Sequence, residues 1–491
     1  MDDNLIQMSG QTIDQIKKSV MAAKANFGSD LPDLAKAYTT SLGLVGYNLE
    51  APAKQLVPFY SPMRNRIPRV VSKTGTSVNW KIITAVNANG KFTGIEGTRT
   101  NGVTTTLKPK SADFKIFGLQ DSVTFEAVAA GKNFQDPMAT ASINLLSRVM
   151  TEEEKLIMGG NRTALTQITA PAATPSPTGG TIAAGTYSIK VAPLTLAAFN
   201  RILTEDFSDN QLLGVPAQDD NYAVITNALD GVGAVSSATQ ATTTGATSSI
   251  GCTAVPVKGA MAYAWFAGTA GNESFQGATV SSAANLTAIT TGGTKATACS
   301  VDGSGDDLSY DGIIPQVLNN GGFFLDMANK SLTGAKGGVN ELDAMNMMFY
   351  KKYKVGPSRY LVGVQAASDI TALIVAGAGG PLMLVNGQQK DSLIGNYLAT
   401  QYINKAMGGQ KIAIEVHPWL PANMIVALTE VIPYANANIP SAFEIELGYD
   451  YMQLEYGLTQ PKKEFEIRGY GALKVYFPAS CGVICNTAPI Q

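Results

Sequence analysis

The chain is poor in the residues that most enzymes and metal proteins work with. It holds one histidine, His417, and four cysteines in 491 residues. A single imidazole excludes multi-histidine metal sites. A Ser-His-Asp triad would have to use His417, and no G-x-S-x-G elbow accompanies it. The run Val416-His417-Pro418-Trp419 reads instead as a strand end, with a structural role for the ring. Cys481 and Cys485 lack further His or Cys partners nearby, which argues against zinc. Cys252 and Cys299 both lie in the middle of the chain, so a pairing between them stays open. Synthesis in a reducing cytosol favours free thiols.

Charge is also scarce. Asp, Glu, Lys and Arg make up 15% of the chain, against about 25% for an average soluble protein. Net charge is −2, which excludes binding to nucleic acid by bulk electrostatics. A surface so short of charge points to burial against other subunits. There is no G-x-x-x-x-G-K-[ST] loop, and Gly377, Gly379 and Gly380 do not complete G-x-G-x-x-G because Leu382 stands where glycine is needed. The most apolar run, Ile370–Val385, is interrupted by those glycines and by Pro381, so no membrane span is expected. The opening Met1-Asp2-Asp3-Asn4 is acidic, and no secretory signal is expected there. Asp302-x-Ser304-x-Asp306 begins like a calcium loop but fails at Asp307 and Ile313. A solvated junction is the better reading, although Asp302, Asp306, Asp307 and Asp311 could hold a cation loosely. No cofactor, metal or catalytic residue is expected, and the chain reads as a non-enzyme.

What the sequence does contain is organised around residues 78–160. Val78-Asn79-Trp80-Lys81-Ile82-Ile83 reads as a strand. Two hairpin signals follow, Asn89-Gly90 and Asn101-Gly102, with Lys91 between them. The return through Thr104–Leu107 and Phe114–Phe117 completes a long two-stranded arm with little core of its own. A short helix over Thr124–Ala130 precedes a long one. Asp136 is the predicted N-cap and Pro137 the first helical residue. Met138, Leu145, Val149 and Leu156 share a face, and Gly159-Gly160 stops the helix about 33 Å on.

Before the arm, residues 11–28 have the pattern of an amphipathic helix, and a second short helix is expected near Asp30. Pro58, Pro62 and Pro68 then predict an extended stretch without a strand ladder. Within it, Arg64, Arg66 and Arg69 could pair with a neighbour's carboxylates, touch DNA phosphates, or form a solvated basic stretch. From about 163 to 305 the chain turns rich in Ala, Thr, Ser and Gly. Short alternating runs such as 185–191, 222–225 and 261–266, with Tyr187, Tyr222, Trp265, Phe266 and Phe275 for a core, predict a β-sandwich. Leu196–Leu203 could be a helix within it. Beyond 308 the pattern is mixed. Helices are expected from Asn340 and over Ser368–Ala376, with strands at 359–364, 397–403, 411–416, 424–428, 443–447, 451–456, 464–467 and 472–477.

The order of these pieces, with Glu152-Glu153-Glu154-Lys155-Leu156-Ile157-Met158-Gly159-Gly160 ending the long helix, resembles the major capsid protein of tailed phages, the Hong Kong 97-type fold. The resemblance covers about 70% of the chain and rests on element order. It implies an α+β fold with an N-terminal helix and N-arm at 1–77 and an E-loop hairpin at 78–118. A peripheral-domain spine helix follows at 119–162. An inserted β-sandwich occupies 163–307, weakly Ig-like, and the axial domain with the remaining peripheral strands occupies 308–491. It further implies self-assembly into pentamers and hexamers of an icosahedral shell around phage double-stranded DNA, built in the host cytoplasm. Portal and possible scaffolding or decoration proteins would be further partners, with no membrane. The E-loop residues Lys81, Asn89, Gly90, Lys91, Asn101 and Gly102 would then lie between subunits. Arg64, Arg66 and Arg69 would make N-arm contacts, and Gly377, Gly379, Gly380 and Pro381 an axial loop. Some members crosslink a hairpin lysine to a neighbour's asparagine; Lys81 and Lys91 are on this arm, but the sequence assigns no acidic catalyst for such a bond. The inserted module would sit outside, and its removal is expected to spare the rest. An encapsulin-like nanocompartment shell and a β-rich surface or tail adhesin remain as alternatives.

Overall fold

A computed structural model describes residues 61–72, 75–86, 96, 105–131, 136–204, 231–335, 337–377, 399–431, 441–458 and 460–490. Residues Glu126–Thr140 belong to a compact unit separate from the one holding Pro58–Phe125 and Ala141–Gln491. The expected helices at 11–28 and near Asp30, the strand at 222–225 and both Asn-Gly turns lie outside the described residues.

In chain order the elements are α1 (Pro62–Arg66), β1 (Arg69–Val71), β2 (Ser77–Val86), β3 (Thr105–Asp113), β4 (Lys115–Thr124), α2 (Phe125–Gly131) and α3 (Pro137–Gly159). Then come β5 (Ala172–Ser176), β6 (Gly185–Leu194), α4 (Leu196–Thr204), β7 (Thr239–Thr243), β8 (Ser249–Thr253), β9 (Ala262–Gly268), β10 (Ser274–Thr279) and β11 (Ala283–Leu286). The remainder comprises α5 (Ile313–Asn319), β12 (Phe323–Ser331), β13 (Gly334–Ala335), β14 (Gly338–Val339), α6 (Asn340–Tyr353), β15 (Arg359–Val362) and α7 (Val364–Gly377). It closes with β16 (Gln401–Asn404), β17 (Gln410–Val416), β18 (Ile425–Leu428), β19 (Phe443–Glu455), β20 (Lys462–Val475) and β21 (Gly482–Ala488).

The architecture is mixed α+β. A six-stranded sheet runs β12-β21-β18-β15-β17-β16 and is covered by α6 and α7. Leu342, Met345 and Phe349 of α6, and Ala366, Ala367 and Ile370 of α7, are buried in the main core with β15 and β18. A four-stranded sheet runs β1-β19-β20-β4. The arm β2-β3 is antiparallel from Ser77↔Asp113 to Val86↔Thr105. Its root is not bare. Val78 and Phe114 pack with Ala472, Ile82 is 1% exposed, and the Trp80 indole N–H donates to the Val475 carbonyl at 3.1 Å.

Several expectations change. The arm's return ends at Asp113, and Phe114–Phe117 leaves it, because β4 pairs with β20 from Lys115↔Gly471 to Thr124↔Lys462. The two strands expected at 443–447 and 451–456 are one, β19, with register shifts around Gly448 and Asp450. Those at 464–467 and 472–477 also fuse, into β20. Gly469 and Gly471 read as breaks, yet a Cβ on Gly469 would lie 2.6 Å from the Phe117 ring, so the glycine makes room for an aromatic neighbour. The stretch Leu308–Pro315, for which no helix is expected, starts helix α5 at Ile313. Its proline falls in the first turn, where no intrahelical partner is lost. Asn340 is the first residue of α6 rather than its cap, and its side-chain amide donates to Thr333 Oγ1 at 3.0 Å. The Pro-rich stretch contains helix α1 with Pro62 at its start, and β1 pairs in parallel with β19 at the sheet edge. The strands β12 and β21 were missed.

The long helix follows the sequence closely. Asp136 Oδ1 accepts the Met138 and Ala139 amide protons at 2.9 and 3.3 Å. Leu145 and Val149 are buried.

Residues 172–286 form a four-stranded sheet, β10-β9-β6-β7, and a three-stranded one, β11-β8-β5. The middle strand β9 is buried along its whole length. Side chains alternate across a strand, and here the two faces enter different cores. Tyr263, Trp265 and Ala267 join Ile189, Val191, Ile250 and Leu286 between the two sheets. Ala262, Ala264 and Phe266 join the main core with Leu194, Leu196 and Phe275. Polar staples add to this. The Asn486 side chain accepts from Ser282 N–H at 2.8 Å, and Asn423 Nδ2 donates to the Val280 carbonyl at 3.1 Å. A module expected to be removable therefore forms one wall of the main core. The four cysteines are free and buried, so Cys252 and Cys299 are not paired.

Candidate functional site

A dense polar cluster is built where residues 61–71 cross the end of α3. Val149, Glu153 and Ile157 stand four apart on the buried face of that helix, so Glu153 is 1% exposed. Its neighbour Glu154 is fully buried. Burying a carboxylate is costly unless it is paired and hydrogen-bonded, and both are. Arg64 Nε donates to Glu153 Oε2 at 3.0 Å, and Arg69 Nη1 donates to Oε1 at 2.8 Å. The Tyr451 hydroxyl also donates to Glu153, and both guanidinium groups lie over the Tyr451 ring, at 5.1 and 5.2 Å from its centroid. Burial works against the charge on Arg69, but Glu153 beside it outweighs this and raises its pKa. Burial, helped by Glu153, pushes the Tyr451 phenol upward. Arg69 reaches Asp450 at 2.9 Å.

Glu154 faces the other way. Its Oε1 accepts the Met63 amide proton at 3.0 Å, and its Oε2 accepts that of Arg64 at 2.7 Å. His417 Nε2 lies 2.8 Å from Oε1, and both side chains are fully buried. The Trp419 N–H approaches His417 Nδ1 at 3.4 Å, so Nδ1 is the accepting nitrogen and Nε2 the one directed at Glu154. Arg66 binds Glu415 with two bonds, of 2.8 and 3.1 Å, and Arg359 shares that carboxylate at 2.7 Å.

Arg64, Arg66 and Arg69, which the sequence left to a neighbour, DNA or solvent, are thus answered by carboxylates of the same chain. His417 does play a structural part. The partners Glu153, Glu154, Glu415 and Tyr451 were missed. The four-residue spacing from Val149 through Glu153 to Ile157 was the available signal.

The other singled-out residues are not brought together. Lys81 lies on β2 and is exposed, opposite Pro109. Gly377 ends α7. Asn89, Gly90, Lys91, Asn101, Gly102, Gly379, Gly380 and Pro381 lie outside the described residues. Asp311 accepts the backbone amide protons of Arg162 and Thr163 at 2.9 and 3.3 Å, a tie between distant parts of the chain, and Asp302 accepts that of Ser304 at 2.9 Å within its own turn. Among the described residues no cluster of three or more His, Cys, Asp or Glu could hold a metal. None of their helices is long and apolar enough to cross a membrane. A cleft between β4 and α3 has mixed lining, with Phe117, Leu119, Glu152, Lys155 and Arg201.

No family model matches the chain, and no curated protein matches it. Among solved structures, it is similar to the capsid asymmetric unit of cyanophage A-1(L), at 12% identity and a TM-score of 0.42, covering 92% of this chain and 99% of that one. It is similar to the capsid of an empty GTA particle at 8% identity and a TM-score of 0.42, covering 92% and 99%. A similarity to the encapsulin complex of Synechococcus elongatus has 8% identity and a TM-score of 0.40, covering 94% and 98%.

Proposed function

We propose that this chain is a shell-forming structural protein, the major capsid protein of a tailed phage, and not an enzyme. The observation that carries the reading is the succession of elements. An arm projects as a two-stranded ladder without a sheet of its own beyond its root. A sheet strand and a 23-residue helix follow it, and the helix end is clamped to the segment that precedes the arm. A lone hairpin is marginal in water, so such an arm gains its stability by lying on another copy. The low charge content agrees with extensive burial between subunits.

In this reading the arm, with Lys81, Asn89, Gly90, Lys91, Asn101 and Gly102, crosses an adjacent subunit. The N-terminal arm grips another, and Gly377, Gly379, Gly380 and Pro381 stand near the symmetry axis of pentamers and hexamers. Many modest contacts then add up through closed symmetry. The module at 163–307 is a β-sandwich carried on this frame. Its partners are further copies, with portal and scaffolding proteins at assembly and packaged DNA inside.

The test is size-exclusion chromatography followed by negative-stain electron microscopy of the chain expressed alone and with its candidate scaffold. Closed shells, hexamers or pentamers are expected. A monomer or trimer that never assembles overturns the reading and favours a β-rich adhesin. Shells that retain protein cargo in place of DNA would move it to a nanocompartment.

A further inference from the structure

Helix α1 does not use the cap its own sequence offers. Ser61 stands at the N-cap position but makes no side-chain capping bond, and its hydroxyl is buried without a partner. The cap comes from Glu154, 90 or so residues away. Its two oxygens take the Met63 and Arg64 amide protons at 3.0 and 2.7 Å. The same carboxylate takes the His417 Nε2 proton at 2.8 Å. One buried side chain therefore ties the start of the 61–71 segment, the end of α3 and the turn after β17.

We propose that Glu154 is a positioning residue for the N-terminal segment. It is a latch that fixes residues 61–71 on α3. The surrounding ion pairs bind side chains of this segment, and the Arg66–Glu415 pair is partly exposed. Glu154 binds backbone, so it fixes the path of the chain itself. Met63 and Ile67, one helical turn apart and both buried, hold the segment down, and the β1–β19 pairing fixes its later half, so the cap sets the placement of its first turn. The consequence for assembly rests on the shell reading; the latch is a property of a single chain.

The test uses the full, unassembled chain and limited trypsin digestion read by mass spectrometry. Arg64, Arg66 and Arg69 are the cleavage points. Glu154→Gln preserves size but turns one acceptor into a donor facing an amide proton. Cleavage at these arginines is expected to rise about tenfold or more, with the melting temperature little changed. His417→Gln, which removes one of the three bonds, should give a smaller rise at the same sites. Wild-type cleavage rates in a folded E154Q protein would overturn the proposal. Should that variant fail to fold, unchanged cleavage in H417Q overturns it alone. Where the wild type assembles, the E154Q protein should give aberrant or open shells; normal shells would remove the role in assembly. If the wild type forms no shell, the capsid reading fails, and trypsin still decides the latch.

Discussion

The two faces of β9 can be separated by mutation. Trp265 lies between the two sheets of the 172–286 module, and Phe266, next to it, lies in the main core; both are buried to about 1% or less. Truncating either to alanine removes a large aromatic from a closed core, at a cost of about 3–5 kcal/mol. The effect on melting depends on the size of the unit that unfolds. With about 2.1 cal/mol/K of unfolding entropy per residue, a module of roughly 140 residues melting alone would shift by about 14 °C for 4 kcal/mol. If the module melts with the whole chain, the same loss shifts the transition by only about 4 °C. The shared strand and the Asn486 and Asn423 staples predict the second result, for Trp265→Ala as well as Phe266→Ala. Differential scanning calorimetry of the unassembled chain decides. Two peaks for Trp265→Ala, the lower displaced by more than about 10 °C and the upper fixed, would refute the coupling. For the same reason, deletion of 165–305 should leave an insoluble or partly folded body, since it strips Leu194, Leu196, Ala262, Ala264, Phe266 and Phe275 from the main core.

Other outcomes follow from single sites. Burial pushes the thiols of Cys252 and Cys299 up to about 12 and that of Cys481 up to about 11. At pH 8 a thiol-specific reagent should therefore leave the native chain unlabelled for hours and label all four cysteines once it unfolds; rapid native labelling would contradict the buried placement. Glu273 is buried, which disfavours its charge, but the Ser188 hydroxyl, backbone N–H groups and Lys190 outweigh this and hold its pKa below the usual carboxylate range. Its contribution is present above the unfolded value of about 4.3 and is lost as pH falls through the lower folded value. Wild type should lose thermal stability in that acid window faster than Glu273→Gln, and parallel curves would argue against the assignment. Ile82→Ala empties a closed site at the arm's root and should cost about 2–5 kcal/mol, measured by denaturant unfolding. A change below about 0.5 kcal/mol would mean that the arm is not anchored there.

The long helix was legible because its signals are local. Asp136, Pro137, the Leu145–Val149 face and the terminal glycines act within a turn of one another. The arm's outgoing strand was legible in the same way. Glycine misled where its reason is distant. Gly469 reads as a break, but it answers the ring of Phe117, which approaches from another strand. The buried polar cluster was hidden for a similar reason. Glu152, Glu153 and Glu154 look alike in sequence, and helical phase alone separates the exposed first from the buried pair.

The sequence by itself determined the long helix, the arm's outgoing strand, the mixed α and β character and the absence of a multi-histidine centre, since each depends on residue type and short-range period. Tertiary structure decided which charges meet. Arg64 and Arg69 find Glu153 across more than 80 residues, and Glu154 caps a helix it is not part of. It also decided that the 172–286 module is a wall of the main core. A fully apolar strand such as β9 announces burial, but the partners on its two faces are set by packing against residues far along the chain.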